Sequence, residues 1–318
     1  MKYSIITPVY NREDCIARCI ESVIANLSKI YDVEHIIVDD GSTDKTPLIV
    51  EKYAEQYQHI RYVRRENNGG TNATRNAAIA IATGEYCVIL DSDDYFVQEA
   101  LVKVNDIVSK EEYKAYMFAA DDMQESYSSN ALLRGHRLCE IQYEDFLSGK
   151  VGGDFIHCIS TKILKAHPFR EDLRIHEGIF FLLFFRDAQK MLFTNEVITI
   201  RERSRQDSVT RTVIRTNKEI IKRCYDAASL QLDLFKDDYK RYNMVDAYNQ
   251  VLYVKVENGL LLLKYREIQE DVTLLSKKAG RKVALIQLLY KYRLGIVYRW
   301  LLQIYLRIKY NLLHHTVS

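Results

Sequence analysis

Apolar positions in the first 120 residues come in two alternating patterns. Residues 4–9, 35–39, 60–64 and 86–90 are short runs rich in β-branched and aromatic side chains, and they predict strands. The second and fourth are almost continuously apolar, as expected of strands covered on both faces in a parallel sheet. Residues 15–27, 45–57 and 71–82 instead repeat apolar positions every three or four residues and predict helices. Strand and helix taking turns predicts an α/β domain with a mainly parallel sheet flanked by helices, in which ligands meet the carboxyl ends of the strands.

Residues 113–201 are less regular, with an apolar run at 115–120, glycines within 149–153 and a strongly apolar stretch at 179–185. They are read as completing the same domain. Beyond residue 212 the pattern turns helical over 217–235, 239–265 and 281–310, with no proline to interrupt it. The expected division is an α/β domain at 1–212 and a helical C-terminal region at 213–318.

The make-up of the chain, 47% hydrophobic and 28% charged with only 3 prolines and 12 glycines, is that of a folded globular protein and excludes extended disorder. The opening apolar run from Met1 to Pro8 is too short for a secretory signal, so a cytoplasmic location is expected. Cys15, Cys19, Cys87, Cys139, Cys158 and Cys224 form no Cys-x-x-Cys pair and sit mostly in apolar segments, as reduced, buried thiols would. The net charge of +2 conceals an asymmetry: after Asp271 there is no acidic residue, while lysine and arginine recur from Lys277 to Lys309. Between them Leu, Ile, Val, Tyr and Trp repeat at helical spacing, without the roughly 20 uncharged apolar residues that a bilayer span requires. Such a tail suits peripheral contact with the inner face of a membrane, or packing on the rest of the chain or on a second copy in a homo-oligomer. The remaining charge is balanced and no base-reading motif is present, so nucleic acid is not an expected partner.

Candidate chemistry gathers at the strand ends. The first strand leads into Thr7-Pro8-Val9-Tyr10-Asn11, where proline stiffens the exit and Asn11 is placed to cap the following helix. After the second comes Asp39-Asp40-Gly41-Ser42-Thr43-Asp44, read either as an ordinary acidic turn or as carboxylates that accept hydrogen bonds from a base or ribose. The third leads to Gly69-Gly70-Thr71, paired glycines that permit close backbone approach before a helix N-terminus able to face an anion, with Arg75 adding positive charge. The fourth ends in Asp91-Ser92-Asp93-Asp94. Three carboxylates in four residues repel one another unless solvated or neutralised, and hard cations such as Mg²⁺ or Mn²⁺ take one or two carboxylates together with substrate phosphates.

In the order and spacing of these motifs over about the first 100 residues, and more weakly to about residue 210, the chain resembles the family 2 glycosyltransferases. The resemblance implies the GT-A fold, a Rossmann-like nucleotide-diphospho-sugar domain, and sugar transfer with inversion. It implies that Asp40 contacts the nucleotide base and Asp39 supports that pocket, beside Pro8, Tyr10, Asn11, Gly69 and Gly70. Asp91 and Asp93 would form an Asp-x-Asp motif with Ser92 between them, Asp93 ligating the metal directly and Asp91 lying nearer the ribose or a metal-bound water. Asp94 would share either role. The implied cofactor is a divalent metal, Mn²⁺ or Mg²⁺, and the implied donor is a nucleotide sugar, a UDP-sugar by analogy.

Inverting members take the acceptor proton with a Glu-Asp pair followed by an aromatic residue. Here His176-Glu177-Gly178-Ile179-Phe180 resembles that motif, with Gly178 where the Asp belongs, or with Glu177 there after a one-residue slip. Glu177 is the candidate base and His176 the second choice. Arg201 and Arg203, ahead of Ser208-Val209-Thr210, resemble a basic segment that folds over the donor diphosphate. The implied acceptor is a saccharide, lipid-linked if the tail meets a membrane, in a bacterial surface polysaccharide such as capsule or O-antigen. Two other readings stay open: a sugar-nucleotide-binding protein of this fold without transfer activity, which Gly178 favours, and a sugar nucleotidyltransferase, which would want a glycine- and arginine-rich loop where Tyr10-Asn11-Arg12 stands. Dehydrogenase and P-loop kinase chemistry lack their glycine motifs here.

Overall fold

The computed structural model describes residues 2–27, 32–173, 176–202, 217–275 and 280–314. The chain forms two compact units, Met1–Arg205 and Gln206–Ser318.

In the first unit, β1 (Tyr3–Val9), β2 (Val33–Asp39), β3 (Ile60–Arg64) and β4 (Tyr86–Ile89) lie parallel in the order β3-β2-β1-β4. They are joined by α1 (Ile16–Asn26), α2 (Thr46–Gln56) and α3 (Thr71–Ile81), each within a residue or two of the predicted segment. Every position of β1 and β2 is buried. Ile16, Ile20 and Val23 of α1 and Val50 of α2 close a core with Ile5, Ile37, Val88 and Leu90, which is the burial that drives these amphipathic helices onto the sheet.

The irregular middle section extends the same sheet. It contributes β5 (Tyr95–Phe96), α4 (Ala100–Val108), β6 (Ala115–Ala120), α5 (Gln124–Ser129), β7 (Leu138–Gln142), α6 (Tyr143–Leu147), β8 (Ile156–Ser160), α7 (Thr161–Ala166), α8 (Gly178–Ala188) and β9 (Lys190–Ile200). β8 runs antiparallel between β4 and β6, β9 lies parallel to β6, and β5 and β7 both pair antiparallel with β9. The α/β architecture stands, with a sheet that is parallel across its first four strands and mixed beyond them. The later strands were hard to foresee because β5 has two residues and β7 keeps mostly exposed or half-buried positions, so neither leaves an apolar run.

The second unit holds α9 (Lys218–Arg241), α10 (Val245–Leu261), α11 (Gln269–Leu275), α12 (Arg281–Lys291) and α13 (Gly295–His314) around a core of Tyr225, Leu232, Leu252, Val256, Leu260 and Ile286. The stretches expected as unbroken helices at 239–265 and 281–310 are interrupted. Asn243, Leu263 and Arg293 adopt φ of 52°, 64° and 52°, the left-handed conformation that ends a helix. Each is followed by an N–H that reaches back five residues: Met244 to Tyr239 O at 2.8 Å, Lys264 to Gly259 O at 2.9 Å and Leu294 to Leu289 O at 2.8 Å. Glycine usually fills such positions and asparagine sometimes does, so Asn243 offered a stop signal while Leu263 and Arg293 offered none. Among the described residues no helix is long and apolar enough to cross a membrane.

Candidate active site

The β1 and β2 exits are stitched to each other. Asn11, at φ 49°, donates its N–H to Ser42 Oγ (2.9 Å) and accepts the Thr43 N–H at Oδ1 (2.8 Å). The expectation that Asn11 caps the next helix is corrected: α1 begins at Ile16 with Cys15 as its N-cap and no side-chain cap. Asparagine tolerates the left-handed region, and its amide oxygen is used to bind one loop to the other. Pro8 is buried within β1 and Tyr10 stands exposed on the rim.

Asp39 is wholly buried, accepting the Ser42 N–H at 2.8 Å and the Tyr62 hydroxyl at 2.9 Å, so it shapes the turn from inside. Asp40, 3% exposed, takes three donors: Arg65 Nη1 (2.6 Å) and the Gly69 N–H (3.0 Å) at Oδ1, and the Gly70 N–H (2.6 Å) at Oδ2. Here too the structure corrects the expectation. The glycine N–H groups expected to face an external anion are turned onto the chain's own carboxylate. Gly70 reaches this geometry at φ +86°, where a side chain would be strained, and then serves as N-cap of α3. These donors occupy three of the carboxylate's four acceptor positions.

At the β4 end, Arg75 of α3 donates from Nη2 to Asp91 Oδ1 at 2.9 Å. Ser92 is buried, its carbonyl accepting from Cys15 Sγ at 3.7 Å, while Cys19 Sγ reaches Asp91 O at 3.8 Å. Arg18 of α1 donates from Nη2 to the Asp93 carbonyl and to Glu202 Oε2, both at 3.1 Å, with its guanidinium 4.5 Å over the Tyr95 ring. The Glu202 N–H donates to Asp94 Oδ1 at 3.1 Å. Burial, reinforced by the Asp91 and Asp93 charges, pushes Asp94 up to about 7. Hard oxygen donors crowded until one resists ionisation fit a divalent cation. Among the described residues no three or more His, Cys, Asp or Glu converge on a site that could hold an ion by themselves.

Arg201 has only 12% of its side chain exposed and is met by Asp154 at 3.2 Å and Asp122 at 3.8 Å. Its charge is directed at carboxylates of the chain. Arg203 lies outside the described residues.

α3 also holds the approach to the candidate base. Asn72, Arg75 and Asn76 share one helix face. Asn72 Nδ2 donates to Arg170 O (2.9 Å) and Asn76 Nδ2 to Phe169 O (2.7 Å), while the Phe169 N–H returns a bond to Asn76 Oδ1 (2.8 Å). The Arg75 guanidinium lies 5.9 Å from the Phe169 ring, and Phe169 packs on Phe180 and Phe181 at 5.7 and 6.0 Å. Those rings belong to the first turns of α8, whose N-cap is Glu177, so Glu177 is tied through Phe169 and Arg75 to Asp91. His176 precedes it with Nε2 buried. Gly178 opens α8, and a Cβ added there meets nothing within 4 Å.

Sequence reasoning missed His157. It stacks on Phe181 at 4.0 Å from the central strand β8, and burial, then the Arg201 and Arg75 charges, holds it down to about 3, which keeps the imidazole neutral. The only trace of it in the sequence was a histidine inside the apolar run Ile156-His157-Cys158-Ile159.

Fold and rim together define an α/β domain of the GT-A class, and comparison with known proteins agrees. Residues 4–164 match the model of Glycosyl transferase family 2, and the chain belongs to that family. It is similar to the poly(ribitol-phosphate) β-glucosyltransferase of Bacillus spizizenii, 45% identical over 104 residues that cover 32% of this chain and 16% of the relative. The minor teichoic acid biosynthesis protein GgaA of Bacillus subtilis is 26% identical over 287 residues, 85% of this chain and 62% of GgaA. The chain thus spans less than two thirds of either relative. The crystal structure of S. aureus TarS 1-349 in complex with UDP-GlcNAc superposes with a TM-score of 0.69 at 19% identity, covering 96% of this chain and 92% of that one, which establishes the shared fold.

Proposed function

We propose that the chain is a metal-dependent inverting glycosyltransferase, moving a sugar from a UDP-sugar to a saccharide acceptor in bacterial surface-glycan assembly. The acceptor is lipid-linked, and the enzyme meets the inner face of the cell membrane peripherally through its C-terminal helices. Residues 1–212 act as the catalytic domain and 213–318 as the membrane-associating or oligomerising region. The names of the two Bacillus relatives favour a teichoic-acid type of acceptor over the capsule or O-antigen first expected.

The observation that favours the reading is that Arg75, paired with Asp91, also lies over Phe169, which packs on Phe181 in the first turn of α8 just after Glu177. Asp93 and Asp91 would hold the metal, with Asp94 beside them. When bound, the metal supplies Lewis acidity toward the leaving diphosphate. Asp40, oriented by Arg65 and the glycine N–H groups, presents an acceptor to the base. Arg75 orients Asp91. Glu177 takes the proton of the acceptor hydroxyl as its oxygen bonds to the anomeric carbon, and the electron pair of the broken C–O bond leaves with the diphosphate.

A thermal-shift series with UDP, GDP and dTDP sugars, with and without Mn²⁺, tests the donor assignment: stabilisation by uridine nucleotides alone, and only with metal, is expected. Gly178 favours a second reading, a sugar-nucleotide-binding protein without transfer. Failure of the wild-type chain to turn over any donor that it binds with metal would establish that reading.

A further inference from the structure

We infer that the outward faces of α12 and α13 form a docking surface for an anionic lipid bilayer. On α13, Ile296, Val297, Trp300, Leu301, Tyr305 and Ile308 fall on one side of the helix, and all are between 46% and 65% exposed. The opposite side is already seated: Gly295 lies against Leu260 and Leu263, and the Arg299 guanidinium donates to the Leu261 carbonyl, while Tyr298 at the margin donates its hydroxyl to Glu257 at 2.6 Å. α12 repeats the arrangement, with Ile286 and Leu289 buried and Leu285, Leu288 and Tyr292 exposed three and four residues apart. Exposed Arg281 lies one turn before Leu285 on that stripe, and exposed Lys291 and Arg293 close it.

Charge decides what covers these faces. With no acidic residue after Asp271, α12 and α13 themselves carry only positive charge, which on α12 stands at both ends of the apolar stripe, at Arg281 and at Lys291 with Arg293. A second copy docking by the same faces would set cation against cation. An anionic bilayer accepts both features at once, burying the apolar side chains at the depth where Trp and Tyr are favoured and attracting the basic border. Neither helix is long and apolar enough to cross the bilayer, so the contact is in the plane of the interface. This deepens the peripheral-membrane part of the proposed function and rests on that part alone; vesicle binding and nucleotide binding are read separately, so either can fail while the other stands.

Trp300 is the chain's single tryptophan, so intrinsic fluorescence reports on this face directly. The full chain, titrated with vesicles containing phosphatidylglycerol, is expected to show a blue shift and quenching by acyl-chain-brominated lipid, with much weaker changes for phosphatidylcholine alone. Lys291→Gln and Arg293→Gln should each weaken binding about fivefold. Leu301→Glu should weaken it about tenfold or more with circular dichroism and thermal melting unchanged, since the position is exposed. Unchanged emission with anionic vesicles overturns the inference. So does a blue shift that follows protein concentration without lipid, accompanied by dimers in light scattering, because the surface would then belong to a second copy.

Discussion

Arg75 Nη2 and Asp91 Oδ1 stand 2.9 Å apart, joining the helix behind the glycine loop to the end of the fourth strand. Asp91 keeps 48% of its side chain exposed, so water screens the pair and its contribution to stability is at most about 1 kcal/mol. Its value lies in aiming a carboxylate. Arg75→Met is expected to shift the urea midpoint little but to weaken metal-dependent UDP binding about tenfold, measured by calorimetry. Undiminished binding would reduce Arg75 to a packing partner of Phe169.

Asp40 makes the opposite prediction. Its carboxylate is buried and compensates Arg65 together with two backbone N–H groups. Asp40→Asn leaves Arg65 uncompensated and turns an amide group toward a donor, which costs about 3 kcal/mol in urea unfolding, and UDP affinity falls with it. A variant as stable as the parent would contradict the hydrogen-bond assignment.

The loop at Glu177 and Gly178 allows a rescue experiment. Glu177→Gln should lower kcat by about a thousandfold while UDP still binds with metal. Position 178 is open and is the first residue of α8, where an acid is favoured by the helix dipole. Adding Gly178→Asp to Glu177→Gln is therefore expected to fold normally and to recover at least about tenfold of the lost rate. Full activity of Glu177→Gln alone would remove Glu177 from the mechanism.

The sequence announced the strands whose ends matter because β1 and β2 are buried throughout and read as apolar runs. It also announced the acidic rim, since three carboxylates in four residues have few structural uses. What it could not announce was where hydrogen bonds go. Nothing in Gly69-Gly70 distinguishes a loop that holds phosphate from one that holds Asp40, and nothing in Asn11 distinguishes a helix cap from a tie to Thr43. Arg201 looked available for phosphate until Asp154 and Asp122 came beside it from distant segments. The helix breaks at Leu263 and Arg293 were hidden because neither residue favours the left-handed conformation that it adopts, whereas Asn243, which tolerates it, could have been read as a stop.

Acid stability should depend on Glu34, far from the rim chemistry. Burial opposes its ionisation, but hydrogen bonds from Ser4 (2.6 Å), Arg61 (2.8 Å) and Thr83 (2.6 Å) outweigh it and lower the carboxyl from 4.5 to about 2. A folded value below the unfolded one means that the stabilisation is present in full above 4.5 and is lost as pH falls toward 2. The difference corresponds to about 3 kcal/mol. Glu34→Gln should therefore be less stable than the parent at pH 7 and nearly equal to it at about pH 2, in thermal or urea unfolding across that range. A constant gap at all pH values would contradict the assignment.

If the carboxylates after β4 hold a divalent cation against the donor diphosphate, Asp93→Ala removes a ligand of that cation. In a thermal-shift titration with UDP, the parent should be stabilised only when Mn²⁺ or Mg²⁺ is present, and Asp93→Ala should show no such metal-dependent rise and no sugar transfer. Equal stabilisation of both proteins by UDP with metal, with transfer intact in the variant, would contradict the account.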